Sequence, residues 1–508
     1  MKRLFLLLLT IPILGVATAQ TAWDGLQFSQ NFYGGTARFT AMGGAFAALG
    51  GDFSSLSVNP AGIGVFRSWD FMITPTVSYN ITDTKYLNGA DSDSYTSFGL
   101  DNLGLVFDVY NDESLKLNLG VGYNKLNQYI DRTFAYGANN SNSYAAAIAN
   151  AAKGINWSIL NGNDAFKQPN WTAVLAWDTY LIEDISDDEY IAATQNDSPS
   201  GVPVHGGLLN QSYYKEVSGH SGEFVLSFGG NVADEFYFGM NLGIQNIWRS
   251  WYQSFTEKAN NPANFDTGFN TLMHESEVET RGAGCNIKLG IIWRPMNGLR
   301  WGAYFHSPSW LYLTDKYSEK MRTKFDATSS ASAESYSSET DLGVFDYMIT
   351  TPMKWGTGLA YVIGNMAIIS LEYEGLNYGA TKMSGYNGRR YAKLPYVGNE
   401  EKYNYEDDYT KDNFGLAANI RAGAELRLNP VAIRAGFAHY GSPLKNNKKF
   451  ASNVFSVGLG FNTDSFYIDG AYSFTLSGDR DNYLYADSPV MMTNSFFGKI
   501  ALTLGFRF

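Results

Sequence analysis

The alternation of apolar with polar or small residues, at a period of two, is the feature of this sequence that most restricts its fold. At the carboxyl end, every second residue from Ile500 to Phe508 is apolar, and the positions between them carry Lys499, Ala501, Thr503, Gly505 and Arg507. Successive side chains of a β-strand point to opposite faces, so this segment predicts a strand with one apolar face and one polar or small face. Such a strand is typical of a barrel wall with lipid on one side and water on the other.

The same period recurs in fourteen segments of the chain. The predicted strands are residues 69–80, 97–110, 115–136, 218–232, 236–256, 275–294, 299–325, 351–363, 366–379, 413–428, 431–440, 451–462, 466–476 and 494–508. Short connections after even-numbered strands alternate with long ones, as in outer-membrane barrels. We therefore predict an all-β fold, in which residues 69–508 form a fourteen-stranded antiparallel transmembrane β-barrel with long outer loops. The alternative at this length is a secreted β-rich protein.

Charged residues within the predicted strands fix which face points inward. A Lys or Arg that faces lipid near the middle of the bilayer costs about 2–4 kcal/mol. The residues predicted to face the lumen are Lys116, Lys288, Arg294, Glu372, Arg421, Glu425, Arg427, Arg434, Asp469 and Lys499. Their neighbours predicted to face lipid are Ile287, Leu371, Ile420, Leu426, Ile433 and Ile500.

The first nineteen residues have the pattern of a secretory signal peptide. A basic pair, Lys2 and Arg3, precedes the apolar run Leu4–Val16, and small residues follow it. We therefore expect residues 1–19 to be removed, so that the mature chain begins at Gln20. A retained N-terminal anchor is the alternative.

Composition excludes several classes of protein. After the signal, no stretch of eighteen apolar residues occurs, so any membrane span has to be β. The single cysteine, Cys285, excludes an internal disulfide, and the net charge of −12 without a basic cluster argues against nucleic acid as a partner. Five histidines occur, but none stands in a catalytic or zinc-binding spacing. We expect neither an enzyme nor a bound metal or cofactor.

Residues 20–68 lack a strand period and carry a family resemblance. This segment contains a glycine-rich stretch with Gly43 and Gly44, followed by Asn59, Pro60 and Ala61. It resembles the N-terminal segment of the FadL family, outer-membrane transporters for long-chain fatty acids and other hydrophobic compounds. In that family the segment folds inside a fourteen-stranded barrel as a hatch and contains an Asn-Pro-Ala motif. The resemblance in motif covers residues 36–66.

Physical arguments independently favour a hatch at residues 20–68. Fourteen strands enclose a lumen that their own side chains do not fill, so an unplugged barrel would leak. Phe46 and Leu56 are apolar residues that need burial, and a buried Asn59 amide needs hydrogen-bond partners. The alternative is a periplasmic tail.

The resemblance implies uptake of small hydrophobic molecules, such as long-chain fatty acids, by passive diffusion with sideways exit at a kink in the third strand. In that strand the apolar residues have odd numbers up to Tyr123 and even numbers from Leu126 onward. A change of parity requires one extra residue, a β-bulge, near Asn124 and Lys125. The alternative is that the strand has already left the hydrocarbon there.

A possible capture site lies in the long second outer loop. Trp171, Leu175 and Leu181 recur at helical spacing. An apolar helix face over the barrel mouth could receive an acyl chain, or it could pack the loop onto the rim.

The expected partners are outer-membrane lipids, a hydrophobic small-molecule substrate and the barrel assembly machinery, which would recognise the C-terminal strand ending at Phe508. A function of another class is also open, in which the FadL-like barrel acts as an adhesin or as a shuttle component of a protein secretion system. A continuous apolar tunnel from mouth to wall would favour transport, and a plugged lumen without a tunnel would favour partner binding.

Overall fold

Fourteen antiparallel strands pair edge to edge and close into a barrel. The computed structural model describes residues 20–161, 170–186, 188–385 and 400–508; the predicted signal peptide lies outside them. The first strand pairs with the last, with Asp70 opposite Arg507 and Tyr86 opposite Met491, so the sheet has no free edge along this seam. The predicted fold class is confirmed.

The barrel strands β1 to β14 follow the chain, and several consist of two or three segments. Their bounds are β1 Asp70–Tyr86, β2 Gly89–Asn111, β3 Leu115–Gln128 with Asp131–Asn139, β4 Leu209–Val232, β5 Phe236–Ala259, β6 Phe269–Met296, β7 Leu299–His306 with Trp310–Phe325, β8 Glu334–Glu339 with Gly343–Thr350 and Lys354–Ile363, β9 Ala367–Asn377 with Lys382–Gly385, β10 Leu416–Leu428, β11 Val431–Tyr440, β12 Ser452–Asn462, β13 Phe466–Leu476 with Arg480–Tyr483, and β14 Val490–Arg507.

Several strands extend further outward than the sequence predicts. β2 begins at Gly89 where residue 97 is predicted, and β4 begins at Leu209 where residue 218 is predicted. β4 has 24 residues, and at about 3.3 Å per residue it is far longer than the hydrocarbon is thick. Outside the hydrocarbon neither face has to be apolar, so the period of two no longer marks the strand.

The predicted orientation of the charged residues is confirmed. Seven of the ten are 1–8% exposed within the barrel: Lys288, Glu372, Arg421, Glu425, Arg434, Asp469 and Lys499. The other three share the inward parity but lie near the short turns, where they are partly exposed: Lys116, Arg294 and Arg427. The residues predicted to face lipid are 42–53% exposed on the outer surface: Ile287, Leu371, Ile420, Leu426, Ile433 and Ile500.

The loop between β3 and β4 folds into a cap over part of the mouth. Its elements are α3 Tyr144–Ala152, α4 Trp157–Leu160, α5 Trp171–Asp178 and the short strand pairs Ile182–Ser186 with Glu189–Ala192 and Gln195–Asn196 with Val204–His205. The buried Glu257 carboxylate at the outer end of β5 accepts hydrogen bonds from the backbone N–H groups of Tyr144 and Ala145, at 2.7 and 3.3 Å. The first turn of α3 is therefore attached to the barrel wall.

The remaining helices of the described residues belong to the lumen and to other outer loops. They are α1 Ala22–Ser29, α2 Ala37–Ala41, α6 Glu400–Asn413, and 3-10 helices at Phe53–Ser57, Pro60–Val65, Pro262–Asn264, Tyr378–Ala380 and Lys448–Phe450. Among the residues that the structure describes, no helix is both long and apolar enough to cross a bilayer.

Candidate functional site

Residues 20–68, which we call the hatch, lie inside the barrel and are bound to the wall on many sides. At the outer end of the lumen the Ala22 N–H of α1 donates to the Glu406 carboxylate of α6 at 2.7 Å. Polar side chains of the strands donate hydrogen bonds to carbonyl oxygens of the hatch: Asn118 to Ile63 at 2.8 Å, Asn231 to Gly64 at 2.7 Å, Asn241 to Leu56 at 2.8 Å and Ser370 to Ala45 at 2.7 Å. These bonds satisfy carbonyl groups of the short 3-10 helices and turns of the hatch, which such short elements cannot all pair internally. The irregular chain is thus held by strands around the lumen.

The predicted motif residues lie at the centre of this contact. The fully buried Asn59 amide donates to the carbonyl oxygens of Ala47 and Ile291, at 2.6 and 3.1 Å, and its oxygen accepts from the Ala61 N–H at 3.0 Å. Pro60 begins the 3-10 helix Pro60–Val65, where its missing N–H costs no hydrogen bond. The predicted hydrogen bonding of Asn59 is confirmed.

Glycine lets the hatch approach the wall closely at particular positions. Gly43 has a φ of +64°, and a Cβ there would lie 2.8 Å from the carbonyl oxygen of Phe437. Gly44 also has a positive φ, of +72°. A left-handed backbone in contact with another chain segment requires glycine. Phe46 and Leu56 are both fully buried, as predicted.

Charged side chains of β9 and β10 hold the hatch at their side of the barrel. The buried Glu372 carboxylate accepts from the backbone N–H groups of Phe46 and Ala47, at 3.0 and 2.9 Å, and pairs with Arg421. Arg38 of the hatch pairs with Glu425 at 2.9 Å. A buried charge has to be paired, so these contacts fix both partners in position.

A second acidic group, Asp52, organises the hatch internally. Its side chain accepts from the Thr36 hydroxyl at 2.6 Å and from the Ser54 N–H at 2.9 Å, where it caps the 3-10 helix Phe53–Ser57. Burial raises the pKa of Asp52, although these hydrogen bonds and nearby Arg38 oppose that effect.

A cavity of about 1240 Å³ lies between the hatch and the outer loops. Aromatic rings form much of its lining, among them Phe32, Tyr33, Tyr129, Trp251, Tyr440 and Phe497. Its charged residues are largely paired: Asp24 with Arg249 at 2.9 Å, Asp131 with Lys215 at 2.6 Å, and Asp101 with Lys125 at 2.7 Å. The lining is therefore mixed, and the cavity is not a purely apolar tunnel.

The cavity extends in two directions. Towards the mouth it is bordered by residues of the outer segments 441–451 and 477–489, where the Arg480 guanidinium lies 5.2 Å from the centre of the Phe450 ring. At the wall it reaches β3 between Lys125 and Thr133.

The third strand contains a bulge next to the predicted position. Lys125 lies opposite Gly222 of β4 and Asn127 lies opposite Ser221, so Leu126 is one extra residue. The irregularity comes one residue after the predicted pair Asn124 and Lys125. Leu126 is 2% exposed, because the bulge turns its side chain inward.

The hydrogen-bonded ladder between β2 and β3 ends at this level. The last paired residues are Asn102 and Asn124, whose side chains are also hydrogen-bonded at 2.7 Å. Further out, β2 pairs with β1 alone and the segment Asp131–Asn139 of β3 pairs with β4 alone. Arg132 bridges the two strands through the Ser94 carbonyl oxygen, at 3.3 Å, and further out the Tyr136 hydroxyl donates to the Ala90 carbonyl oxygen at 3.4 Å. Below Arg132 the wall has an opening in its backbone pairing, which we call the β2–β3 opening.

The predicted capture residues occupy the interior of the cap. Trp171, Leu175 and Leu181 are 0–2% exposed and do not line the cavity. The Trp171 ring lies 5.2 Å from that of Tyr317 and 6.0 Å from that of Phe345. These side chains pack the loop onto the rim, which is the alternative that the sequence left open.

Sequence reasoning missed Asp101, Arg249 and Tyr129 at the cavity. Asp101 gave one signal, because Asp101 and Asn102 are consecutive polar residues within a predicted strand. Arg249 and Tyr129 gave none, since their partners Asp24 and Phe28 belong to the distant α1 helix.

Known structures contain barrels of the same architecture. A FadL homologue from Pseudomonas aeruginosa matches with a TM-score of 0.52 at 12% identity, over 94% of this chain and 98% of that one. The toluene transporter TodX from Pseudomonas putida matches with a TM-score of 0.50 at 10% identity, over 94% of this chain and 100% of that one. No protein-family model matches the sequence, and the search of curated proteins found no significant match. The likeness at these identities concerns the fold, and the chain has the fold of a FadL-like outer-membrane barrel.

Proposed function

We propose that this protein is an outer-membrane channel through which small hydrophobic molecules, such as long-chain fatty acids, enter by passive diffusion. A molecule enters the cavity between the outer segments 441–451 and 477–489 and leaves through the β2–β3 opening. The observation that carries this proposal is that the cavity reaches β3 at the level where its pairing with β2 ends. The descriptions of the two similar structures, a FadL homologue and a toluene transporter, support cargo of this class.

A lateral route also agrees with the physical chemistry of the cargo. The hatch lies across the straight path to the periplasm, bound to both sides of the barrel through Asn118, Asn241 and Glu372. The transfer of apolar surface from hydrocarbon into water costs about 25 cal/mol of free energy for each Å². Exit at the level of the membrane avoids that cost.

The mixed lining favours molecules with an apolar body and tolerates a polar group. Aromatic faces such as those of Tyr129 and Trp251 offer apolar contact, while the paired charges add little net field. This lining differs from the continuous apolar tunnel expected of a channel for pure hydrocarbons, so the transport proposal depends on the opening more than on the lining.

Deletion of Leu126 tests the lateral exit. Without the extra residue the register of β3 against β4 becomes continuous, and the outer part of β3 is free to resume pairing with β2. We expect a folded barrel that no longer admits the fluorescent probe N-phenylnaphthylamine in cells lacking related channels. Deletion of Gly201, in an exposed turn of the cap, is the matched control and should leave entry unchanged.

Two results would count against the proposal. If the folded deletion variant admits the probe as fast as the parent, exit does not occur at the β2–β3 opening. If cells that produce the parent protein take up neither the probe nor radiolabelled oleate faster than cells without it, transport itself is wrong and the partner-binding alternative is favoured. A difference in migration between the unheated and the heated protein in a denaturing gel shows in each case that the barrel has folded.

A further inference from the structure

Lys125 lies at the lower edge of the β2–β3 opening. It follows Asn124, the last residue of β3 that pairs with β2, and precedes the extra residue Leu126. Its ammonium Nζ is 2.7 Å from Oδ1 of Asp101 on β2. The side chain thus crosses from β3 to β2 just where the backbone hydrogen bonds stop.

The strand opposite leaves room for this ammonium. A Cβ at Gly99 of β2 would lie 2.6 Å from Nζ of Lys125 and 3.8 Å from its Cε. Lys125 therefore occupies space that a larger residue at position 99 would take. Its side chain is 7% exposed and that of Asp101 is 1% exposed, so the pair is nearly closed to solvent.

Asp101 is held by partners other than Lys125. Lys499 of β14 lies 3.0 Å from its second carboxylate oxygen, and the Thr76 hydroxyl of β1 donates to its first at 2.9 Å. Asp101 is also the extra residue of β2, since Thr74 of β1 lies opposite Asn102 and the next residue, Pro75, lies opposite Leu100. The carboxylate remains paired when Lys125 moves away, so Lys125 is the movable member.

The hatch restrains the backbone of Lys125 and lies beside its Cβ, but the ammonium at the end of the side chain pairs with Asp101 of the wall. The Gly34 N–H donates to the Lys125 carbonyl oxygen at 2.9 Å. A Cβ at Gly34 would lie 2.8 Å from the Asp101 carboxylate, so the hatch contacts both residues at once. Movement at this place is thereby confined to the lysine side chain, which has several freely rotating bonds.

We propose that Lys125 is a latch, whose ion pair with Asp101 closes the β2–β3 opening and limits the rate at which hydrophobic molecules leave the cavity. An apolar molecule makes no favourable contact with the ammonium and can pass only while that group has swung into the cavity. Asp101 positions the latch and Gly99 supplies its space. This inference rests on the proposed lateral exit.

The test is the initial rate of N-phenylnaphthylamine entry into cells that produce equal amounts of folded barrel. Lys125→Met keeps the length of the side chain and removes the charge. One ion pair exposed to water corresponds to a factor of about two to five, and this pair is nearly closed to solvent, so we expect entry to rise about fivefold or more. Asp101→Asn breaks the same pair from β2 and should also raise entry. Lys125→Arg keeps the charge and should retain the parental rate. The matched control is Lys116→Met, which removes an ion-paired lysine of the same strand far from the opening.

Gly99→Trp separates failure of the latch from failure of the lateral exit. The indole should fill the opening and stop entry, since the atoms nearest to a Cβ at this position are the flexible end of Lys125, at 2.6 Å, and the Thr76 hydroxyl oxygen, at 3.6 Å. If Gly99→Trp stops entry but Lys125→Met and Asp101→Asn leave it unchanged or lower it, the latch is wrong and the lateral exit stands. If none of the three variants alters entry, the lateral exit is wrong, and the latch with it.

Discussion

Replacement of Glu372 by alanine should loosen the hatch while the barrel remains folded. The Glu372 carboxylate joins β9 to the hatch by accepting from the Phe46 and Ala47 N–H groups, at 3.0 and 2.9 Å. It also pairs with Arg421 and accepts from the Tyr304 hydroxyl at 3.0 Å. None of these bonds belongs to the ladder that holds the strands together, so β9 itself keeps its pairing.

The size of the effect follows from which groups lose their partners. The Phe46 N–H keeps the Gly44 carbonyl oxygen and Tyr304 keeps Glu374, but the Ala47 N–H loses the one acceptor described for it. An unpaired buried N–H costs about 1–3 kcal/mol, and loss of a hydrogen bond to the Arg421 guanidinium costs about 1.5–3 kcal/mol. The hatch should therefore be destabilised by about 2.5–6 kcal/mol, which raises the undocked fraction about sixtyfold or more.

Ion conductance of the purified protein in planar bilayers and vancomycin sensitivity of producing cells both measure the undocked state. Glu372→Ala should conduct ions and admit vancomycin, and Glu372→Gln should have a smaller effect because its amide oxygen can still accept from the hatch. Glu275→Ala is the matched control, since Glu275 pairs with Arg322 and not with the hatch. A folded Glu372→Ala barrel that is as impermeable as this control would refute the reasoning.

Three further predictions test the hatch and the register. Deletion of residues 22–66 should leave a barrel that assembles but conducts ions and admits large hydrophilic antibiotics, and a variant that inserts normally yet stays impermeable would mean that this segment is no hatch. Leu371→Arg places a charge in lipid and should lower the free energy of unfolding in vesicles by about 2–4 kcal/mol; an unchanged urea midpoint would contradict the register. Gly64→Ala should raise conductance, because its Cβ would lie 2.3 Å from the Gly230 carbonyl oxygen, whereas Gly470→Ala, with no neighbouring atom within 4 Å, should not.

The strand count and the register could be predicted because lipid imposes a rule on every second residue. Leu371 and Ile500 have to face hydrocarbon, whereas Glu372 and Lys499 cannot. The sequence of one strand is therefore enough to predict which of its faces points to lipid. The rule ends at the membrane surface, and the outer parts of β2 and β4 follow no such alternation. The same limit applies to the cap, whose fold depends on contacts with the barrel rim.

The important residues of the hatch could be predicted from the sequence better than the wall residues that they contact. Gly43 and Asn59 stand out because few residue types tolerate a left-handed backbone or a buried polar turn. Their contacts, such as Phe437 and Ile291, lie hundreds of residues away in strands whose order around the barrel has to be known first. The capture site stayed open for a related reason, since helical spacing in Trp171 and Leu175 shows that a face is apolar but not what covers it.

The residues at the β2–β3 opening could have been predicted from the sequence by aligning β2 with β3. Parity revealed the irregularity in β3, but an opening is a property of two strands. β2 and β3 are joined by a short turn, and register in a hairpin is set by that turn. Counting outward from the pair Asn111 and Lys116, and allowing for one bulge, places the consecutive polar residues Asp101 and Asn102 beside Asn124 and Lys125. An acid and a lysine facing each other at the place where both strands lose their alternation is a pattern that the sequence contains. Only an alignment of the two strands shows that this pair could close the wall.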